Sequence, residues 1–137
     1  MKTLFCISFI IIAHQSFSQH IENLPARGVK GEMESVYVEK LADDSLATAF
    51  EIWIRGGVKH HFHATHTECV YILEGEGRMD WGETSFNVKV GDFVMIPMGT
   101  VHAVTATIPM KVLSIQTPKW VAEDGVFVAP IRRPHNE

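Results

Sequence analysis

The chain has 137 residues, 46% of them hydrophobic, enough for one domain with an apolar core. A formal net charge of −4, no basic stripe to neutralise phosphates and aromatics that are scattered rather than grouped together exclude nucleic-acid binding. With two cysteines in all, a disulfide-built scaffold is excluded as well.

The first 18 residues differ in kind from the rest. Lys2 precedes an apolar run, Leu4 to Ala13, interrupted only by Cys6 and Ser8, and Ser16-Phe17-Ser18 supplies small residues ahead of a cleavage after Ser18. This is the layout of a secretory signal peptide, and the run is too short to span a bilayer comfortably. A buried strand or an uncleaved anchor is the alternative reading of the same pattern. Cleavage leaves a mature chain that starts at Gln19, is secreted or periplasmic, does not stay on the membrane and keeps Cys69 alone. Cys69 then reads as a small buried residue rather than a reactive thiol.

Residues 19–35, with Pro25, Gly28 and Gly31, read as an N-terminal arm. From Val36 onward short apolar runs alternate with turn residues, and no helical stripe of any length appears. Ala49 to Ile54 alternates as a half-buried strand does, while Val70 to Leu73 suits a strand covered on both faces. Gly75-Glu76-Gly77 predicts a turn into Arg78 to Trp81, and Gly82-Glu83 a turn into Phe86 to Val90. Phe93 to Ile96, Val101 to Thr105 and Met110 to Ile115 complete the series, and in the polar tail, residues 119–137, only Val126 to Val128 adds a strand. About eight strands at this spacing predict a sandwich or small barrel.

His60, His61, His63 and His66 concentrate half of the chain's eight histidines into one short stretch. Alternation along a strand puts His61 and His63 on one face and His60 on the other. Glu68 opens the next strand on the face of Val70 and Ile72, where an antiparallel neighbour would bring it beside the two histidines, and Cys69 is turned away. Pro97 and Gly99 predict a tight turn that delivers His102 to the same interior. Neutral imidazole is the commonest side-chain ligand for a transition metal, and a carboxylate adds charge. The expected metal ligands are therefore His61, His63, Glu68 and His102. His66, in the turn at the expected barrel rim, is the candidate catalytic residue, placed to transfer protons; its plainer reading is an exposed polar turn residue. Glu51, Trp53 and Arg55 share a face of their strand, with Trp53 read as core. Glu76, Arg78 and Asp80 share another, read as solvated.

These residues carry a resemblance. The chain resembles the cupins, whose first motif is matched by His61-Phe62-His63, Glu68 and Gly75 and whose second by Gly91, Pro97, Gly99 and His102. Gly56 stands one residue closer to His61 than the family's opening glycine does, and Ala106 replaces the asparagine that often closes the second motif. The resemblance implies an all-β, double-stranded β-helix (jelly-roll) barrel in a single domain over residues 36–118, often dimeric, with one metal inside its mouth. Three imidazoles and a carboxylate suit one divalent transition metal, Fe, Mn, Ni, Cu or Zn, while calcium would need more oxygens.

The expected function is a metal-dependent enzyme acting on a small oxygen-rich molecule, such as a sugar acid or another carboxylate. Family resemblance implies isomerase, lyase or decarboxylase chemistry, or dioxygenation. The alternatives are a non-catalytic module that binds a small ligand through the metal, and a metal-scavenging protein that uses the whole His60 to His66 stretch. A homodimer is expected.

Overall fold

The computed structural model describes residues 21–130. The expected signal peptide and the end of the tail lie outside the described residues. Strands dominate: β1 Val36–Asp43, β2 Thr48–Ile54, β3 Gly57–His63, β4 Thr67–Trp81, β5 Thr84–Lys89, β6 Phe93–Ile96, β7 His102–Thr117 and β8 Gly125–Phe127. One sheet runs in the order β1-β2-β7-β3-β8, and β4, itself joined to β5 and β6, pairs with β7. All pairings are antiparallel. This is the double-stranded β-helix expected from the sequence.

Two strands are longer than their sequence suggests. The expected turn at Gly75 is a kink inside the 15-residue β4, and the runs either side of Pro109 belong to the 16-residue β7. The register between β4 and β7 slips between Ile72 and Gly77. The slip reverses the alternation: Glu68, Val70 and Ile72 face inward before it, and Gly77 and Met79 after it. Gly75 makes the kink possible. Its φ is +76°, and a Cβ there would sit 2.0 Å from the Pro109 carbonyl oxygen, so only glycine fits. With an extra residue the sheet bends sharply, and two long strands wrap a barrel instead of lying flat.

The core gathers Ile54, Val70, Ile72, Met79, Ile96 and Val112, among others, inside this barrel. The inner face of β2 is that of Phe50, Ile52 and Ile54, so Glu51 and Trp53 look outward. Trp53 is nonetheless buried, as expected, while Arg55 is exposed. The arm explains that burial. Its described part, which includes a single 3-10 turn at Leu24–Ala26, docks on the outer face of the sheet. Arg27 pairs there with Glu39 and Glu51, each at 2.7 Å. Lys111 Nζ reaches the carbonyls of Pro25 and Arg27 at 3.2 and 2.8 Å and lies 5.9 Å from the Trp53 ring centroid.

Candidate metal centre

β3 carries a bulge between Val58 and His61. Val58, His61 and His63 therefore all line the barrel interior, while His60 turns outward to Asp80, 3.0 Å away. Asp80 is thus partnered rather than simply solvated. His61 stands directly opposite His102 in the β3–β7 register. The turn before β7 is fastened to the same strand: Gly99, at φ +80°, donates its N–H to the His63 carbonyl at 2.8 Å. The two distant motifs thus meet through backbone pairing.

His61, His63 and His102 each offer a nitrogen within 4.8 Å of the others. Glu68 Oε2 approaches two of them, 3.2 Å from His63 Nε2 and 3.3 Å from His102 Nε2. Adjacent donors around an octahedral ion with bonds of about 2.1 Å stand about 3 Å apart. The route by which Glu68 arrives differs from the expectation. β3 pairs with β7 and β8, not with β4, so the carboxylate reaches the histidines across the barrel interior.

The hydrogen bonds around the imidazoles settle which nitrogens are free. His61 Nδ1–H donates to the Lys59 carbonyl at 2.8 Å, and His102 Nδ1–H to the Thr100 carbonyl at 3.0 Å. In both rings the proton sits on Nδ1, which leaves the Nε2 lone pair for a metal. His102 Nε2 is buried with no hydrogen-bond partner among the described residues. Such an orphaned acceptor beside a carboxylate is costly in a metal-free protein and natural for a ligand. The donor set fits a divalent transition metal.

Protonation states agree. Burial, aided by neighbouring His102 and His63, pushes the His61 pKa down to about 4, so the ring is neutral at physiological pH. Burial alone would raise the Glu68 pKa, but the neighbouring His102 and His63 rings and the Ser114 hydroxyl outweigh it and hold the carboxyl well below its usual range. Ser114 Oγ donates to Glu68 Oε1, and Gln116 Nε2 does so at 3.4 Å. The carboxylate is thereby charged and oriented.

His66 lies in the turn between β3 and β4, as expected, but it is 0% exposed, which overturns the reading as an exposed turn residue, and it is not among the residues that line the cavity. Its ring stacks on His63 at 4.1 Å between centroids. The cause is Asp124, just before β8, whose Oδ2 lies 2.8 Å from His66 Nδ1 and 3.3 Å from His63 Nδ1. Asp124 is fixed in turn by the Thr65 N–H and hydroxyl, bonds that lower its pKa against the opposing effect of burial. A carboxylate behind a ligating imidazole orients the ring and raises its basicity. His63, His66 and Asp124 also form a second cluster of metal-capable groups.

The three candidate imidazoles and Glu68 open on a cavity of about 470 Å³. Among the described residues its titratable lining is His61, His63, Glu68 and His102; apart from Gln116, the other lining side chains are apolar or aromatic. Cys69, as expected, faces away and is only half-buried.

Sequence comparison bears on the assignment directly: a cupin-domain family model matches residues 50–116. An uncharacterized protein of Aquifex aeolicus is 30% identical over 100 residues, which span 72% of this chain and 83% of that protein. The chain belongs to the cupin family. Among solved structures, this cupin is similar to a Klebsiella pneumoniae protein of unknown function with a double-stranded β-helix domain, at TM-score 0.70 and 14% identity, covering 82% of this chain and 99% of the other. It is also similar to Pac13 of Streptomyces, a nucleoside dehydratase, at TM-score 0.63 and 16% identity, covering 74% and 85%. At these identities the likeness is one of fold.

Three residues that contact the candidate ligands had escaped the sequence reading. Ser114 and Gln116 follow Met110 and Val112 in the inward phase of β7, so polar residues at core positions were the available signal. Asp124 carries no local signal, because only the β8–β3 pairing brings it to His63.

Proposed function

We propose that this cupin is an enzyme that holds one divalent transition metal through His61, His63, Glu68 and His102 and acts on a small molecule admitted to the barrel cavity. The observation that carries the reading is the convergence of these four groups at the polar end of an otherwise apolar cavity. Bound there, the metal would supply Lewis-acid or redox chemistry. The chain's own part is to keep two imidazoles in the Nδ1–H form, to hold Glu68 ionised, and to exclude water with the apolar wall. Lyase, isomerase, decarboxylase and dioxygenase reactions are the classes to test, and the Pac13 barrel shows that this fold carries dehydratase chemistry in one relative by shape.

A second reading has its own support. Among the described residues the cavity offers no titratable group besides the four expected ligands. A binding module with no turnover needs none. The test is a turnover screen of protein loaded separately with iron, manganese, nickel, copper and zinc. Product formed with one metal and lost in His102→Ala supports the enzyme. Ligand-dependent stabilisation with no product under any metal replaces it with the binding module.

Export after cleavage at Ser18 belongs to the same proposal and rests on the apolar run behind Lys2; a mature amino terminus other than Gln19 in secreted material would contradict it. Among the described residues no helix is long and apolar enough to cross a membrane. The expected homodimer has one supporting feature. Tyr71, Phe93, Met95 and Ile115 lie side by side on the outer face of β4, β6 and β7, with Phe93 63% exposed. Light scattering of the wild type and of Phe93→Lys decides it: a dimer that becomes a monomer fits, and a monomeric wild type does not.

A further inference from the structure

The cavity's polarity is confined to one end. Away from His61, His63, Glu68 and His102, its wall is built from side chains such as Val36, Ile52, Ile54, Ile72, Met79 and Val112. Among the described residues no lysine, arginine, serine or threonine lines it. Apart from the Trp120 indole, the one further polar side chain among the described residues is Gln116, 5% exposed, whose amide nitrogen is directed at Glu68 and whose Oε1 has no hydrogen-bond partner among them. Trp120 and Phe127 continue the apolar lining, the latter with its ring 5.8 Å from that of His61.

A polyhydroxylated sugar acid would suit such a space badly. Each hydroxyl turned to the wall gives up its hydrogen bonds to water and receives none in return. A second carboxylate, beyond one held at the metal, would meet no cation. An apolar body gains from the same wall by leaving water.

Resting on the metal-centre reading above, we propose that the cavity takes a ligand of amphipathic build: one oxygen-bearing head for the metal end and an aromatic or branched aliphatic body for the barrel interior. The vacant acceptor on Gln116 adds room for one hydroxyl or N–H donor beside the head. This narrows the expected substrate class away from sugar acids and toward apolar acids, phenols and hydroxy-ketones.

Hydroxamates give a direct test, because the same metal-binding head can be joined to different bodies. Zinc is loaded into the full protein, its content is measured after desalting, and acetohydroxamate, benzohydroxamate and gluconohydroxamate are titrated calorimetrically. The phenyl body is expected to bind roughly tenfold or more tighter than the methyl one, as the extra buried apolar area dictates, and the polyhydroxylated body no tighter than the methyl one. Val38 lines the mouth while remaining 52% exposed, so Val38→Lys leaves the fold intact; it is expected to cut the benzohydroxamate preference several-fold. Zinc uptake with equal affinities, or with gluconohydroxamate tightest, overturns this proposal and leaves the metal centre standing. Failure to take up zinc or any other divalent transition metal overturns both.

Discussion

At the scale of single residues, the centre is defined as much by what stands behind the ligands as by the ligands. Asp124 lies 3.3 Å from His63 Nδ1 and 2.8 Å from His66 Nδ1, so it fixes the His63 ring without facing the cavity. Removing its charge in Asp124→Asn is expected to weaken metal affinity by about 10–100-fold, the usual effect of losing such a partner, with the fold retained. Competition against a fluorescent chelator measures this, and unchanged affinity would show that Asp124 does not position His63. His61 supplies a pH signature. Its pKa falls from 6.5 to about 4 on folding. Between these values the unfolded chain binds more protons than the folded one, so stability rises with pH across that window. The contribution is complete above about pH 6.5 and is lost as pH falls toward 4. Metal-free protein is therefore expected to lose stability from pH 6.5 to 4 more steeply than His61→Gln, as read from urea midpoints. Parallel curves would contradict the assigned shift.

At the scale of elements, the bulges decide which side chains meet. The irregularity in β3 turns Val58, His61 and His63 to one side, and the kink at Gly75 reverses the facing of β4 after Glu68 has been directed inward. Gly75→Ala must fit a Cβ against the Pro109 carbonyl at a positive φ. It is expected to cost at least about 2 kcal/mol, seen as a lower urea midpoint at constant slope; a neutral effect would mean that the kink tolerates a side chain. This element also shows where sequence reading stops. Glycines at 75 and 77 look the same to local propensity whether they end a strand or bend one, and only the long-range β4–β7 register separates the two. His61 and His63 were legible because strand alternation is local. The burial of His66 was not legible, because it depends on Asp124, far away in sequence and brought close by three residues of β8. The docking of the arm was illegible for the same reason: it depends on Arg27 meeting the buried Glu51.

At the scale of the whole molecule, the barrel places four donor groups at one end of a cavity that is otherwise apolar. A sandwich or small barrel was readable from strand spacing and the β-helix from the cupin resemblance, while strand alternation and the Pro97–Gly99 turn named the four candidate ligands that the barrel brings together. The cavity's character was not readable, since residues of β1, β2, β4 and β7 share it and none of those strands announces it alone. The most direct test of the account is the metal content of protein purified from the compartment where it resides, beside a His61→Ala variant. One transition-metal ion per chain, lost in the variant while circular dichroism stays unchanged, is the expected result. A wild-type protein that retains no metal after loading, or a His61→Ala variant that binds metal as tightly as the wild type, would contradict it.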